Sequence, residues 1–211
     1  MSQEQRKQSN DSVEHRYATG KVELRKSESG AAKLFGYALR FDSVYDMWEH
    51  TEEVAKGAFA NTDMSDIRVL FNHDNNQILG RTKAGTARTG IDANGLWYEV
   101  DLPNSPAGEN VRVAVERGDI DQSSWGFILR TNGDKWERRD GKLHRVLTDV
   151  EEIFDVSPVT FPANPDTTVA KRSLQRSGVD APPEPDNTTE IDTEIEFAKL
   201  ERRIFNFKLT L

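Results

Sequence analysis

Hydrophobic and polar residues alternate along most of the first 160 positions, which is the pattern of strands that bury one face. The alternation predicts strands in the following segments: 21–24, 33–41, 66–71, 78–81, 86–91, 96–102, 120–131 and 146–160. Asn94–Gly95 and Asp140–Gly141 are predicted to form hairpin turns, because these residue types tolerate positive φ. A polar loop is expected over residues 74–77.

The clearest helical pattern lies at residues 105–118. Ser105 suits the N-cap, Pro106 the first helical position and Gly118 the C-cap. The apolar positions of this segment fall on one helical face: Ala107, Val111, Ala114 and Val115. Strands, one helix and further strands favour an antiparallel β-barrel or sandwich with a helix against it over a βαβ array. The expected class is therefore a β-rich α+β fold.

The pattern divides the chain into four parts, at residues 1–20, 21–170, 171–190 and 191–211. The first part is polar without a period and predicts a flexible N-terminal arm. The second contains all the predicted strands and forms the folded domain. The third is polar and rich in proline, which predicts a disordered linker. The fourth carries an amphipathic pattern and predicts a C-terminal helix or tail.

Composition narrows the classes of function. The chain has no cysteine, which excludes a thiol nucleophile, a thiolate metal site and disulfides, and is consistent with a reducing compartment. Its formal charge of −8 argues against broad nucleic-acid binding. No apolar run approaches the roughly 20 residues of a membrane span, and residues 1–10 lack the apolar centre of a signal peptide. We therefore expect no nucleic-acid partner and no membrane partner.

A pair of serines precedes an aromatic–Gly–aromatic sequence in the strand at 120–131. Trp125 and Phe127 can anchor this strand in a core, while Gly126 lets another backbone approach. Ser124 is a candidate nucleophile if a base lies nearby, and Ser123, on the opposite strand face, is the rival. Both could equally be ordinary strand serines.

Of the four histidines, His73 is the candidate base. It ends an apolar strand, where a rigid scaffold can present an imidazole to a cleft, although it could also cap the strand and contact water. His15 falls in the predicted arm and His50 in an irregular acidic segment. His144 lies among charges near a turn, and we expect it to be solvated.

The strand at 146–160 offers the candidate acids. Asp149 and Glu151 are expected on an exposed acidic face. Glu152 and Asp155 stand among apolar residues, where a carboxylate is costly unless it is paired, so one of them is expected to have a partner. The sequence contains no phosphate-binding glycine loop, dinucleotide fingerprint or zinc-protease motif, and no second histidine at ligand spacing from His73. It therefore predicts no cofactor and no metal site.

Three motifs, in this order, resemble the prohead (procapsid maturation) proteases of tailed phages. They are Leu-Phe-Asn-His-Asp at 70–74 with Leu-Gly-Arg at 79–81, Ser-Trp-Gly-Phe at 124–127, and Phe-Asp-Val-Ser-Pro-Val-Thr-Phe-Pro-Ala-Asn-Pro at 154–165. The resemblance runs from about residue 22 to 168. That family is similar in fold to the herpesvirus assemblins, which implies a closed antiparallel β-barrel flanked by helices.

The resemblance also implies a serine endopeptidase. Carried over by motif, His73 would be the general base and Ser124 the nucleophile. The family often has Glu where this chain has Asp155, so Asp155 is the first candidate for the acid and Glu152 the second.

The implied substrates are the scaffold, the major capsid protein precursor and the protease itself, as a homo-oligomer, inside a procapsid assembling in the bacterial host cytoplasm. The C-terminal tail could dock the enzyme in the procapsid or be removed by self-cleavage. Two alternatives remain open: a non-enzymatic scaffold module with the same barrel, and metal-assisted hydrolysis centred on His73.

Overall fold

The computed structural model describes residues 13–18, 22–26, 32–47, 50–161 and 167–179. Within these ranges the strands are β1 (Glu14–Ala18), β2 (Glu23–Lys26), β3 (Ala32–Arg40), β4 (Tyr45–Asp46), β5 (Thr51–Val54), β6 (Arg68–Phe71), β7 (Asp74–Arg81), β8 (Ala87–Ile91), β9 (Gly95–Asp101), β10 (Gln122–Leu129), β11 (Asp134–Arg139), β12 (Lys142–Leu147) and β13 (Val150–Val159). The α-helices are α1 (Pro106–Arg117) and α2 (Thr167–Ser177), and short 3-10 helices form at Lys56–Phe59 and Thr82–Ala84. No helix in the described ranges is long and apolar enough to cross a membrane.

The strands form three sheets. Sheet I has the order β1-β10-β13-β6-β7, sheet II the order β11-β12-β5-β4, and sheet III the order β2-β3-β9-β8. Most neighbours are antiparallel, but β13 pairs with β6 and β12 with β5 in parallel. These two parallel pairs join segments that are far apart in the sequence.

The β-rich α+β class is confirmed, whereas the predicted closed antiparallel barrel is wrong. Within the part of the chain that the structure describes, no sheet closes on itself, and two of the strand pairs are parallel. The physical reason is that alternation of apolar and polar residues reports which face of a strand is buried, not which strand lies beside it. Pairing depends on contacts distant in sequence, which the pattern does not contain.

One apolar core is shared by all three sheets and α1. Trp125 and Val69 contribute from sheet I, Leu147 from sheet II, Leu39 from sheet III and Val111 from α1, and all five are fully buried. The core therefore holds β10, which carries the two serines, and β6, which precedes His73, in a single packed body.

Local signals predicted α1 and the two hairpins correctly. The Ser105 side chain accepts a hydrogen bond from the backbone N–H of Gly108, Pro106 begins the helix, and Gly118 ends it with φ of 81°. The turn between β11 and β12 has positive φ at Asp140 (53°) and Gly141 (81°). The hairpin of β8 and β9 likewise turns just before Gly95.

Other predicted boundaries were wrong. The predicted arm contains β1, which pairs antiparallel with β10. The predicted loop at 74–77 belongs to β7, and the predicted strand at 146–160 is interrupted at residues 148–149. The predicted linker begins inside α2, whose Ala170 and Leu174 pack with Trp136 and Leu143. Residues 1–12 and 180–211 lie outside the described residues, and with them the predicted C-terminal helix and the prolines of the linker.

The arm prediction failed because the inward side chains of β1 are charged. Glu14 and Arg16 are buried and join a cluster of ionic groups with Glu52 of β5, Arg145 of β12 and Asp134 of β11. Arg16 Nη2 lies 3.0 Å from Glu52 Oε2, Arg145 Nη1 2.6 Å from Glu14 Oε2, and Arg145 Nε 2.6 Å from Asp134 Oδ2. These bonds connect sheet I to sheet II. They also explain why these charged side chains can be buried, because a charge in the protein interior is costly unless it is paired.

Burial by itself would raise the pKa of Glu52, but the guanidinium groups of Arg16 and Arg145 outweigh it and hold that pKa well below its ordinary value. Burial likewise acts to lower the pKa of Arg16, and the carboxylates of Glu52 and Glu14 raise it above its usual range instead. Glu52 and Arg16 are therefore charged in the folded protein at neutral pH.

We expect Glu52→Gln to lower the free energy of unfolding at pH 7 by about 3–5 kcal/mol, because Arg16 and Arg145 stay buried with less compensating charge. A depressed carboxylate pKa stabilises the fold fully above the unfolded-state pKa of about 4.3, and that contribution is lost progressively as the pH falls from there toward the lower folded-state pKa. The difference between wild type and Glu52→Gln in urea unfolding should therefore shrink below about pH 4.3.

The matched control is Glu53→Gln. Glu53 is the next residue in β5; its partly exposed carboxylate pairs with the exposed Arg139 and lies 3.5 Å from His144, so its loss should cost less than that of the fully buried Glu52. Equal losses in the two variants, or a difference that does not depend on pH, would show that the buried cluster does not stabilise the fold.

Candidate active site

A serine, a histidine and an aspartate form a hydrogen-bonded row on one face of sheet I. His73 Nε2 lies 2.7 Å from Ser124 Oγ, and His73 Nδ1 lies 2.6 Å from Asp155 Oδ1. Ser124 comes from β10, Asp155 from β13, and His73 from the turn between β6 and β7. The structure thus brings together the three residues that the motifs singled out.

The alternation of β10 separates the two serines. Ser123 faces the core, where its Oγ lies 2.8 Å from the hydroxyl of Tyr98. Burial raises the pKa of Tyr98, so this phenol stays protonated at neutral pH. Ser124 is on the opposite face, with His73. The rival Ser123 is therefore a core residue that satisfies Tyr98.

His73 lies at the tip of a two-residue hairpin turn. Phe71 of β6 pairs with Asp74 of β7, and the residues between them, Asn72 and His73, have φ of 55° and 56°. Such positive φ at both central positions is typical of tight hairpin turns, and it is costly for a residue other than Gly or Asn. The turn places the imidazole of His73 over β13, with Nε2 directed toward Ser124 of β10.

Asn72 fixes this turn to the end of β13. Its backbone N–H donates to the carbonyl of Pro158 (3.1 Å), and its side chain exchanges two hydrogen bonds with Thr160 (2.8 and 3.1 Å). The imidazole is therefore positioned by bonds to the same strand that carries Asp155.

Asp155 receives a second hydrogen bond from Ser157, two residues further along β13. Ser157 Oγ donates to Asp155 Oδ1 (2.9 Å) and accepts from the backbone N–H of His73 (3.3 Å). Asp155 is only 7% exposed, so these bonds hold its carboxylate toward His73. Sequence reasoning missed Ser157, although its position two residues from an acid on the same strand face was available as a signal.

Gly126 makes room for this carboxylate. A Cβ at position 126 would lie 2.6 Å from Asp155 Oδ2 and 3.1 Å from His15 Nε2. Gly126 pairs with Asp155 on one side and with His15 on the other. The expectation that another backbone approaches Gly126 is wrong. The atoms nearest to the position of a Cβ belong to the side chains of Asp155 and His15.

His15 is the residue of the site that the sequence placed elsewhere. Its ring centroid lies 4.1 Å from that of His73, and its Nε2 lies 3.9 Å from Asp155 Oδ2. His15 was not considered a site residue because the segment of β1 lacks alternating apolar residues and was predicted to be a flexible arm. Pairing of β1 with β10 is what carries His15 to the site.

Of the other two histidines, His144 lies in β12 of sheet II and His50 immediately precedes β5 of the same sheet. His144 was expected to be solvated, which is wrong: it is fully buried in β12, with Nδ1 2.7 Å from Thr51 Oγ1 and Nε2 3.5 Å from Glu53. His50 is also buried, 3.9 Å from Glu52. The partners of His144 come from β5, which is distant in the sequence, so the charges next to it in the chain did not indicate exposure.

Glu152, the second candidate for the acid, is not in the row. The part of the chain that the structure describes contains no hydrogen bond from its side chain to His73, and its pKa is raised by burial and by the carboxylates of Asp63 and Glu151. Asp155 is the carboxylate that contacts the imidazole.

The Ser124 hydroxyl has two acceptors for its one proton. Its Oγ is fully buried and donates to the backbone carbonyl of Arg16 at 2.8 Å, while His73 Nε2 lies 2.7 Å away. When Ser124 donates to His73, the imidazole is the neutral acceptor. When Ser124 donates to Arg16, its contact with His73 requires a proton on Nε2. The row can therefore exist in two forms. In one, neutral Nε2 of His73 can accept the serine proton; in the other, Nε2 already carries a proton and cannot accept it.

A serine hydroxyl, an imidazole and a carboxylate bonded in this order are the arrangement of serine hydrolases. The sequence profile of the family described as "Caudovirus prohead serine protease" matches residues 20–180, so the chain belongs to this family. The resemblance to prohead proteases of tailed phages is thereby confirmed. β1, with His15, precedes the matched segment.

Among solved structures, the capsid assembly protease gp21 of bacteriophage T4 is similar with a TM-score of 0.44 and 12% sequence identity, over 70% of this chain and 96% of that chain. None of the curated proteins compared with the chain matches it.

We expect Gly126→Ala to lower kcat for peptide cleavage by between about tenfold and 10⁴-fold, the latter being the scale for losing a correctly oriented triad carboxylate. The added methyl would rotate Asp155 away from His73 while leaving the core strand intact, so the melting temperature should change little. Steady-state kinetics and thermal unfolding of the same preparation measure both.

The matched control is Gly57→Ala, because a Cβ at Gly57 would have no atom within 4 Å other than those of the adjoining chain. If Gly126→Ala cleaves as fast as Gly57→Ala, the close approach of Asp155 to Gly126 has no part in the reaction.

Proposed function

We propose that the protein is a serine endopeptidase that cleaves scaffold and capsid precursor proteins, and itself, as the procapsid of a tailed phage matures. The Ser124–His73–Asp155 row carries this proposal. Family membership supports a prohead protease, and the geometry supports hydroxyl chemistry at Ser124.

In the proposed reaction Ser124 Oγ attacks the carbonyl carbon of a peptide bond. His73 Nε2 takes the hydroxyl proton as the new C–O bond forms, and Asp155 accepts the Nδ1–H hydrogen bond and stabilises the imidazolium. Ser157 and Asn72 act indirectly, since they hold the carboxylate and the imidazole-bearing turn in place.

His73 then returns its proton to the leaving amine, the C–N bond breaks, and an acyl ester remains on Ser124. A water molecule repeats the sequence: His73 accepts a proton from the water, the hydroxide oxygen attacks the ester, and the serine oxygen leaves with that proton. The enzyme is regenerated without a cofactor in either half of this scheme.

The burial of Ser124 gives the proposed enzyme a closed resting form. A substrate carbonyl can reach Oγ only after local movement near β1, because the Arg16 carbonyl now occupies one hydrogen-bonding direction of the hydroxyl. Such a requirement suits a protease that acts inside an assembling procapsid in the bacterial host and must stay inactive before enclosure.

We expect Ser124→Ala to abolish shortening of the chain's own capsid and scaffold precursors, with kcat reduced roughly 10⁴- to 10⁶-fold. The measurement is intact-mass analysis after co-expression with the precursors, followed by the same analysis of assembled procapsids. Precursor fragments in wild type and full-length precursors in Ser124→Ala are the expected result.

Ser123→Ala is the matched control. It removes a neighbouring hydroxyl that contacts Tyr98 in the core, so it should reduce stability modestly and keep the cleavage products. Unchanged precursor masses in wild type, even in assembled procapsids, would favour the non-enzymatic scaffold module. Cleavage that survives Ser124→Ala would remove Ser124 as the nucleophile.

A further inference from the structure

The site contains one imidazole that the proposed reaction does not use. His15, His73 and Asp155 each present one metal-ligating atom, and these three atoms all lie within 4.8 Å of one another. They come from β1, the β6–β7 turn and β13, and the absent side chain of Gly126 leaves the space in which His15 and Asp155 approach.

The separations suit a single small cation. His15 Nε2 lies 3.9 Å from Asp155 Oδ2, and His73 Nδ1 lies 2.6 Å from Asp155 Oδ1. In a tetrahedral zinc site with bonds of about 2.0–2.2 Å, ligand atoms are roughly 3.3 Å apart. The two observed distances, each to a different oxygen of Asp155, lie on either side of that value, and one ligand atom from each residue lies within 4.8 Å of the others.

The three side chains can also be reached from solvent. The exposed fraction is 34% for the side chain of His15, 16% for that of His73 and 10% for that of Asp155. A tetrahedral ion held by three protein ligands keeps a fourth position for water. Ser157 would continue to hydrogen-bond the carboxylate and orient it toward the ion.

We propose that His15, His73 and Asp155 form a Zn²⁺-binding site, and that Zn²⁺ bound there inhibits the protease. The binding stands on the geometry of the cluster, whereas the inhibition rests on the proposed function of Ser124 and His73. Two imidazoles and one carboxylate are a donor set that Zn²⁺ prefers, while Mg²⁺ and Ca²⁺ prefer all-oxygen sites.

Inhibition follows from the single lone pair of a neutral imidazole. If Zn²⁺ binds His73 at Nε2, it takes the lone pair that would accept the Ser124 proton. If it binds at Nδ1, the ring proton moves to Nε2, and that nitrogen can then only donate. Asp155 is drawn from the imidazole to the ion in both cases. The base is lost whichever nitrogen coordinates.

The first experiment measures binding without any need for activity. Full-length Ser124→Ala, which keeps all three ligands and cannot cleave itself by the proposed mechanism, is titrated with ZnCl₂ and with MgCl₂ by isothermal calorimetry. We expect one Zn²⁺ per chain and no Mg²⁺ binding. On the same background His15→Phe, which keeps a ring beside His73 but offers no nitrogen, should weaken Zn²⁺ binding by about tenfold or more.

The second experiment measures inhibition with the precursor-cleavage assay. Zn²⁺ should inhibit the wild type, and a chelator should restore cleavage. His15→Phe and His15→Ala should need about tenfold more Zn²⁺ for half-inhibition, each compared with its own metal-free rate. Zn²⁺ acting through His50 or His144 would inhibit these variants as strongly as wild type.

The two experiments separate this inference from the proposed function. Zn²⁺ binding that depends on His15, in a chain whose wild type cleaves nothing, would retain the metal site and reject the protease. Cleavage that depends on Ser124 but is insensitive to Zn²⁺, or Zn²⁺ binding unaffected by the loss of His15, would overturn the metal site and leave the protease standing.

Discussion

The position of β10 between β1 and β13 is the constraint on which the site depends. Ser124 pairs with Ser157, and Gly126 pairs with Asp155 and with His15. Residues 124 and 126 share one face because side chains alternate along a strand. The face can hold a carboxylate and an imidazole beside the serine only because position 126 carries no side chain.

The two faces of strand β1 contact different parts of the protein, one the core and the other the site. Glu14 and Arg16 point inward to the buried ionic cluster, while His15 points outward toward His73 and Asp155. A shift of one residue in register would exchange these faces, placing the imidazole among the guanidinium groups and Arg16 beside Asp155. Buried ion pairs add little net stability, but they penalise such a shift strongly, because it would take Arg16 away from Glu52 and Glu14 away from Arg145.

The Ser124–His73 contact has one competitor in the structure and would have a second in the proposed metal ion. The Arg16 carbonyl competes for the serine proton, and a metal ion at His15, His73 and Asp155 would compete for the imidazole lone pair. Both come through β1, the strand that precedes the segment matched by the family profile. The Ser124–His73–Asp155 row and the groups that compete for its proton or lone pair are therefore adjacent in space although they are separate in sequence.

Local signals were sufficient wherever the determining contacts are local. Ser105, Pro106 and Gly118 predicted the bounds of α1 because caps act within one helical turn. The hairpin between β11 and β12 was predicted because Asp140 and Gly141 tolerate positive φ. His144 was misjudged, since charged neighbours in sequence cannot reveal that Thr51 and Glu53 surround it in the fold.

The sequence by itself determined the β-rich class and the buried faces of most strands, and its motifs named His73 and Ser124 as candidates, with Asp155 first and Glu152 second for the acid. It could not determine that the strands form three sheets with two parallel pairs, that β1 completes sheet I, or that Asp155 and not Glu152 contacts the imidazole. The alternation of buried and exposed side chains and the residue types of turns depend on neighbouring residues. Strand partners and register depend instead on burying many groups that are distant in the sequence. Only the tertiary structure could therefore place His15, Gly126 and Ser157 in one site.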